Sequence, residues 1–592
     1  MAVLDITKDL PTLFRRQVQA TPDAIALEDE TTTYTYTQLD QEVETLASRL
    51  RTYGVSRDTL VGVLLPRSAH YVIACLAALR AGGAFLVLEL AYPADLLADV
   101  IDDASPAVII THQSEADKIK APVPVIALDA PVAETNGHTK EPSPLPADDD
   151  LDRLAFVSYS SGTTGKPKGI ANPHRAPVLS YDLRFAVQDV QPGDRVACNV
   201  FFIWEMLRPL LRGATVVIVP DETSYDPAAL VDLLSAKKVT ETLMTPTLLA
   251  TVLSRYPRFG TRVPDLRIIW LNGEVVTTDL AHKAIKILPN ARLLNCYSAC
   301  ETHEIACGDI RDVIDDDSIY CPVGPSLVPT HTYVLNEDGQ EVETGTSGEL
   351  FIGGPLLARE YINLPETTAK AFAPNPFDST PGARMYRTGD LARKLPSGFL
   401  EITGRVGAMI KLRGYSVVPA KVESDICQYL AVNQCVVTAY GDGLDRQLVA
   451  YVVPDKESSS DRPPVVINES GHSPSARRAL ENHLAQYMIP ALWVALDQLP
   501  TSDVSGKVDI KNLPSPRGSS PSGSEHSAGK DPIGLSDIAA IWETVLKVSK
   551  NLIKAEDSFF DLGGHSLSLA DLSSKLSRRF GFRVPIPRLA EN

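Results

Sequence analysis

The chain has 592 residues, enough for several domains, and sets 56 basic against 74 acidic residues for a formal net charge of −18 and a pI near 5.1. That acidity argues against a general nucleic-acid or anionic-membrane surface. No apolar run approaches the roughly 20 residues of a membrane span, no apolar h-region marks a signal peptide, and eight scattered cysteines without metal-like spacing fit reduced thiols in a cytoplasmic protein.

In chain order, VGVLLP predicts a buried strand, YVIACLAALRAG a helix, and AFLVLEL and AVIITH two further strands. Residues 131–150, rich in Pro, Asp and Glu, predict an exposed loop. LAFVSY is a strand feeding the loop YSSGTTGKPKG, Tyr159 to Gly169. NVFFIWEM, from Asn199, reads as a buried strand running into a helix; TVVIVPD is a strand and PAALVDLLSAKKV a helix. Strands alternating with helices predict an α/β core with largely parallel sheets. After Gly404 a smaller unit has its own strands, QCVVTAY and QLVAYVVP. SPRGSSPSGSEHSAG, residues 515–529, is a flexible linker. LSDIAAIWETVLKV and SLADLSSKLSRRFG beyond it carry helical periodicity.

The loop from Tyr159 carries the first chemical signal. Glycines and hydroxyls let a chain wrap phosphate oxygens, and lysines offset their charge. The spacing is not GxxxxGK[ST]. With it, YTYTQLD, LRAGGAFLVLE, NCYSACET, GELFIGG, YRTGDLARK, GRVGAMIKLRGYSVVPAKVE, YMIP and LPTSDVSGKVD resemble the motifs of the adenylate-forming enzymes: acyl-CoA ligases, luciferases and the adenylation domains of nonribosomal peptide synthetases. The resemblance spans residues 10–513.

It implies a large multi-sheet N-terminal core over 1–403, a small α+β subdomain over 404–513, a linker over 514–532 and a helical-bundle carrier domain over 533–592. It also implies roles. Ser160, Ser161, Gly162, Thr163, Thr164 and Lys168 would cradle the phosphates of ATP. Tyr297 would stack on adenine and Asn295 hydrogen-bond it. Glu301 would hold Mg²⁺, Asp390 would accept from the ribose hydroxyls, and Arg405 would assist at the nucleotide. Lys507 would approach both the substrate carboxylate and the α-phosphate. Two anions must meet for a carboxylate to attack that phosphorus, so cations and aligned donors are required. The sequence departs from the family at Ser298-Ala299-Cys300, where Gly-Pro-Thr is usual, and at Gly407, where the hinge usually carries Asp; glycine would permit the domain rotation between half-reactions.

DSFFDLGGHS, ending at Ser566, resembles the attachment site of a carrier domain. Ser566 would take 4′-phosphopantetheine from a separate phosphopantetheinyl transferase. The sequence ends 26 residues later, which predicts a truncated carrier domain and a downstream reductase, thioesterase or condensation domain.

Amino-acid-activating members place an Asp a few residues before a Trp-Glu pair, to bind the α-ammonium. No acidic residue lies between Asp194 and Glu205, so an ordinary α-amino acid would bury its ammonium unpartnered. The pocket is predicted from Phe201, Phe202, Trp204, Leu243, Trp270, Asn272, Cys296, Glu304 and Ile305. Aromatic rings with the Glu304 carboxylate suit a quaternary ammonium, through cation–π contacts of roughly 0.5–2 kcal/mol each. The expected substrate is a small acid such as glycine betaine, as in the adenylation–carrier front end of fungal synthetase-like glycine betaine reductases. The alternatives are an aryl or α-keto acid stacking on the rings, and a non-catalytic docking platform. The fused carrier disfavours a free-standing acyl-CoA ligase.

Overall fold

A computed structural model describes residues 4–130, 144–160, 167–198, 203–224, 226–314, 318, 320–406, 410–412, 415–417, 419–441, 446–455, 462–468, 470–497, 499–500, 513–516, 535–546 and 566–580, with isolated residues around the last two segments. The apolar runs become strands where expected: Leu60–Leu64, Ala84–Val87, Val108–Thr111 and Thr215–Ile218. Each is buried along its whole length, as parallel strands covered on both faces are.

Two sheets dominate the first compact unit. In the seven-stranded sheet, Leu154–Ser160, Ala84–Val87, Leu60–Leu64, Val108–Thr111 and Val125–Ala127 run parallel; Lys168–Pro173 and Glu360–Tyr361 close one edge antiparallel. In the eight-stranded sheet, Ile268–Leu271, Glu241–Met244, Arg195–Cys198, Thr215–Ile218 and Ile25–Glu28 run parallel in that order. Arg292–Ala299 extends it in parallel, and His303–Asp309 pairs with that strand antiparallel. One core joins both sheets, with Val61 and Phe85 from the first and Val196 and Val216 from the second. The helix Ala69–Arg80 fills it. Ser68 caps its N-terminus, accepting from the Tyr71 amide, and every residue of the helix except His70 is buried. A helix apolar on all sides belongs in such an interior.

A third, antiparallel sheet of His331–Leu335, Gly348–Gly353, Arg384–Lys394, Phe372–Pro374 and Leu400–Arg405 was not expected from a largely parallel reading. The helix expected after NVFF is a single 3₁₀ turn, Ile203–Met206, followed by another, Pro209–Leu211; residues 199–202 lie outside the described residues. Gly404 and Arg405 pair with Leu391 and Asp390 and belong to the first unit.

The second unit holds a three-stranded sheet, Val432–Tyr440, Gln447–Pro454 and Leu492–Ala495. The helices Pro419–Tyr429 and Pro474–Leu480 share its core through Val422, Ile426 and Leu480, with Trp493. The helices Leu535–Leu546 and Ser566–Phe580 have a separate core of Leu546, Phe559, Leu562, Leu569, Leu572 and Leu576. No helix among the described residues is long and apolar enough to cross a membrane.

Candidate active site

On the nucleotide side, Ser160 ends its strand as the register partner of Lys168, which opens the next. The Lys168 ammonium lies 5.3 Å from the centre of the Tyr361 ring. Burial lowers its pKa and the Glu301 carboxylate opposes that shift. Tyr361 Oη donates to Glu301 Oε1 at 2.9 Å, and Glu301 is only 9% exposed. The Tyr361 and Tyr386 hydroxyls are 3.5 Å apart. Further along the Tyr386 strand, Asp390 accepts from the Tyr297 hydroxyl. Lys168 and Glu301 therefore meet at Tyr361, and Tyr297 and Asp390 form a second pair, with Asp390 on the strand that carries Tyr386.

Asn295 is braced by nearby main chain. Its side-chain amide donates to the Cys321 and Pro322 carbonyls at 3.1 and 3.0 Å, so its N–H groups brace the chain at 321–322. Among the described residues no three His, Cys, Asp or Glu side chains gather as a metal cluster. Mg²⁺ does not need one, because it is commonly bound by one or two carboxylates together with substrate phosphates and waters. A hard carboxylate held by a neighbouring phenol fits that ion.

On the acid side a buried charge network appears. Arg184, on the helix Arg175–Val187, pairs with Glu205 and, at 3.4 Å, with Glu304. Ser180, one turn earlier, donates to Glu304 at 2.5 Å. Arg208 pairs with Glu241 and lies 3.5 Å from Glu205. Trp270 Nε1 donates to Glu241 at 2.8 Å. All five charged groups are at most 4% exposed. Burial and the neighbouring Glu304 push the Glu205 carboxyl up, against the pull of Arg184. Burial also raises Glu304, but Arg184, His303 and the Ser180 hydroxyl outweigh it and hold Glu304 below the usual carboxylate range.

This network corrects two expectations. The Trp270 ring is covered from within, by the Arg184 guanidinium at 4.1 Å and Arg208 at 5.5 Å, and Glu304 has its own partners in Ser180 and Arg184. Ile305 is a third correction. Neighbours on a strand face opposite sides, and Ile305 packs with Ile170, Val334 and Leu350, away from the cluster of Leu243, Trp270, Leu294, Cys296 and Cys307. Asn272 is buried and accepts from the Ser298 hydroxyl at 2.9 Å. Cys296 faces Cys307 across paired strands with sulfurs 2.7 Å apart; burial pushes the Cys296 thiol well up, which keeps it protonated and unreactive.

Ser161, Gly162, Thr163, Thr164, Phe201, Phe202, Gly407 and Lys507 lie outside the described residues. Trp204, Arg405 and Ser566 are placed by their backbone: in the 3₁₀ turn, at the end of the Leu400–Arg405 strand and at the start of the Ser566–Phe580 helix. Ser180, Arg184, Arg208 and Glu241 escaped the sequence reading. The available signal was their setting, since ETLM and YDLRFAV place a charge among apolar residues.

The AMP-binding enzyme family matches residues 14–362. The chain belongs to that family. The phosphopantetheine attachment site family matches residues 536–592, so a carrier domain follows the enzyme domain. The chain is 72% identical over its full length to the glycine betaine reductase ATRR of Emericella nidulans, of which it covers 46%. It is 33% identical over 98% of its length to malpibaldin synthetase of Mortierella alpina, covering 10% of that protein. It thus spans less than half the length of these relatives. A solved nonribosomal peptide synthetase protein with adenylation and peptidyl carrier domains, bound to a vinylsulfonamide inhibitor, superposes with a TM-score of 0.77 at 23% identity, covering 98% of this chain and 93% of that one. An artificially fused adenylation–carrier didomain from Klebsiella oxytoca gives 0.69 at 22% identity over 82% of this chain and 93% of that one. These two likenesses establish the fold. The chain is an adenylate-forming ligase domain followed by a carrier domain.

Proposed function

We propose that the acid activated is a small carboxylate bearing a quaternary ammonium, with glycine betaine the leading case. The observation that carries this reading is the buried network beside Trp270. Three carboxylates, Glu205, Glu241 and Glu304, stand against two guanidiniums, Arg184 and Arg208. With all three carboxyls ionised one negative charge is in excess, and Glu205 Oε1 is buried with no hydrogen-bond partner among the described residues. Buried charge is costly unless matched. A permanent cation matches it, whereas a neutral aryl or keto acid does not. The name of the 72% identical relative and the lack of an acidic residue between Asp194 and Glu205 point the same way. This reading assigns the ring faces that Trp270 gives to arginine to Trp204 and to Phe201 or Phe202.

The roles follow in chemical order. Ser160, Ser161, Gly162, Thr163, Thr164 and Lys168 bind the phosphates. Tyr297 packs on adenine, Asp390 accepts from the ribose and Arg405 assists at the nucleotide. Lys507 neutralises the acid carboxylate and the α-phosphate as the first attacks the second and pyrophosphate leaves. Glu301 holds Mg²⁺, which when bound supplies charge neutralisation to the phosphates. A phosphopantetheinyl transferase modifies Ser566, and the arm's thiol then displaces AMP. A downstream reductase domain releasing the thioester fits the same relative.

ATP–pyrophosphate exchange tests the reading, with glycine betaine, dimethylglycine, glycine, benzoate and phenylpyruvate as acids. Betaine is expected to lead. Exchange driven best by benzoate or phenylpyruvate overturns the assignment.

A further inference from the structure

Tyr361 has no part in the roles above, yet it touches both groups placed at the phosphates. Its hydroxyl donates to Glu301 Oε1 at 2.9 Å, and its ring carries the Lys168 ammonium at 5.3 Å. The residue is 5% exposed.

The main chain around this residue is held from two sides. The Ala358 amide donates to the Glu301 carbonyl at 2.8 Å. The amides of Arg359 and Ile362 donate to the Ala171 and Gly169 carbonyls, each at 2.8 Å, on the strand that Lys168 opens. Gly169 permits that approach, since a Cβ there would fall 2.6 Å from Ile362 Cγ1 and 2.8 Å from Tyr159 Cζ. The five residues 358–362 therefore tie the Glu301 turn to the Lys168 strand. The Tyr361 ring also packs against Phe372 with centroids 5.5 Å apart, and a side chain held by such packing on a fixed backbone can hold its neighbours to the tolerance a reacting site needs.

We propose that Tyr361 is a positioning residue that couples the acidic metal ligand to the phosphate-binding lysine, its hydroxyl orienting Glu301 and its ring seating Lys168. This rests on the roles assigned to Glu301 and Lys168 above. The two parts of the side chain have separable effects. Hydrogen-bond partners that orient a metal ligand commonly change metal affinity by about 10–100-fold. An ammonium resting on a ring is a weaker constraint, of about threefold in binding.

The test uses the full chain with Mn²⁺ as the metal and α,β-methylene-ATP as a nucleotide that cannot react. Free Mn²⁺ is read by electron paramagnetic resonance, and metal-free nucleotide affinity is measured separately. Tyr361→Phe keeps the ring, so Mn²⁺ affinity falls about tenfold while metal-free nucleotide affinity and the KM for the acid stay at wild-type values. Tyr361→Leu lowers both the metal and the nucleotide affinity. Wild-type Mn²⁺ affinity in Tyr361→Phe, with Glu301→Gln losing it, overturns the coupling and leaves the site assignment standing. Wild-type affinity in Glu301→Gln as well overturns both.

Discussion

At the scale of single residues, the site is governed by how buried charges are shared. Arg184 serves two carboxylates that respond differently, Glu205 pushed up and Glu304 held down. Below the raised pKa of Glu205 that carboxyl keeps its proton, and the network is neutral. Above it the network carries one negative charge, and a cation binds better. The KM for betaine is therefore expected to fall as pH rises through that transition. Glu205→Gln should flatten the dependence while leaving that of ATP unchanged. Steady-state exchange across pH on both proteins checks this, and a parallel fall in the variant would contradict it. These residues were poorly legible in the sequence. Arg184 and Glu241 look like ordinary solvated charges until the strands and the 175–187 helix bring them together. Glu304 and Ile305 were both expected at the pocket, although strand alternation separates them.

At the scale of elements, apolar runs translated directly. VGVLLP, AFLVLEL and AVIITH became fully buried parallel strands, because burial on both faces leaves a continuous apolar signature. The Arg384–Lys394 strand alternates in burial and so resembled a polar motif rather than a strand, which is why the antiparallel sheet went unseen. In the carrier region, DSFFDLGGHS was legible as a motif, and its packing explains one glycine. Phe559 is 2% exposed and meets Trp542 edge-on at 5.3 Å. A Cβ on Gly564 would fall 2.3 Å from Phe559 Cδ1 and 2.5 Å from its carbonyl oxygen. Backbone cannot yield as a flexible side-chain tip can, so Gly564→Ala is expected to cost about 1–3 kcal/mol by overpacking. The same variant should slow phosphopantetheinylation of Ser566, read by intact-protein mass spectrometry with a transferase. Modification at the wild-type rate would show that the region absorbs the methyl group.

At the scale of the whole molecule, the two half-reactions need different groups at the same adenylate. In the proposed assignment Lys507 serves the first and the carrier thiol the second. Backbone freedom at Gly407 is the expected pivot. Gly407→Pro fixes φ near −65° and should leave pyrophosphate exchange within about twofold of wild type while thioester loading on the pantetheinylated chain falls sharply. Equal loss of both would place Gly407 in the first reaction. The central claim is that the pocket reads a permanent positive charge. The most direct measurement compares glycine betaine with 3,3-dimethylbutanoate, which replaces the quaternary nitrogen with carbon at the same shape. In pyrophosphate exchange, kcat/KM is predicted to favour betaine by about 30-fold, the worth of one desolvated cation–π contact of about 2 kcal/mol. Equal values for the two acids would mean that the pocket reads shape alone, and the charge assignment would fall.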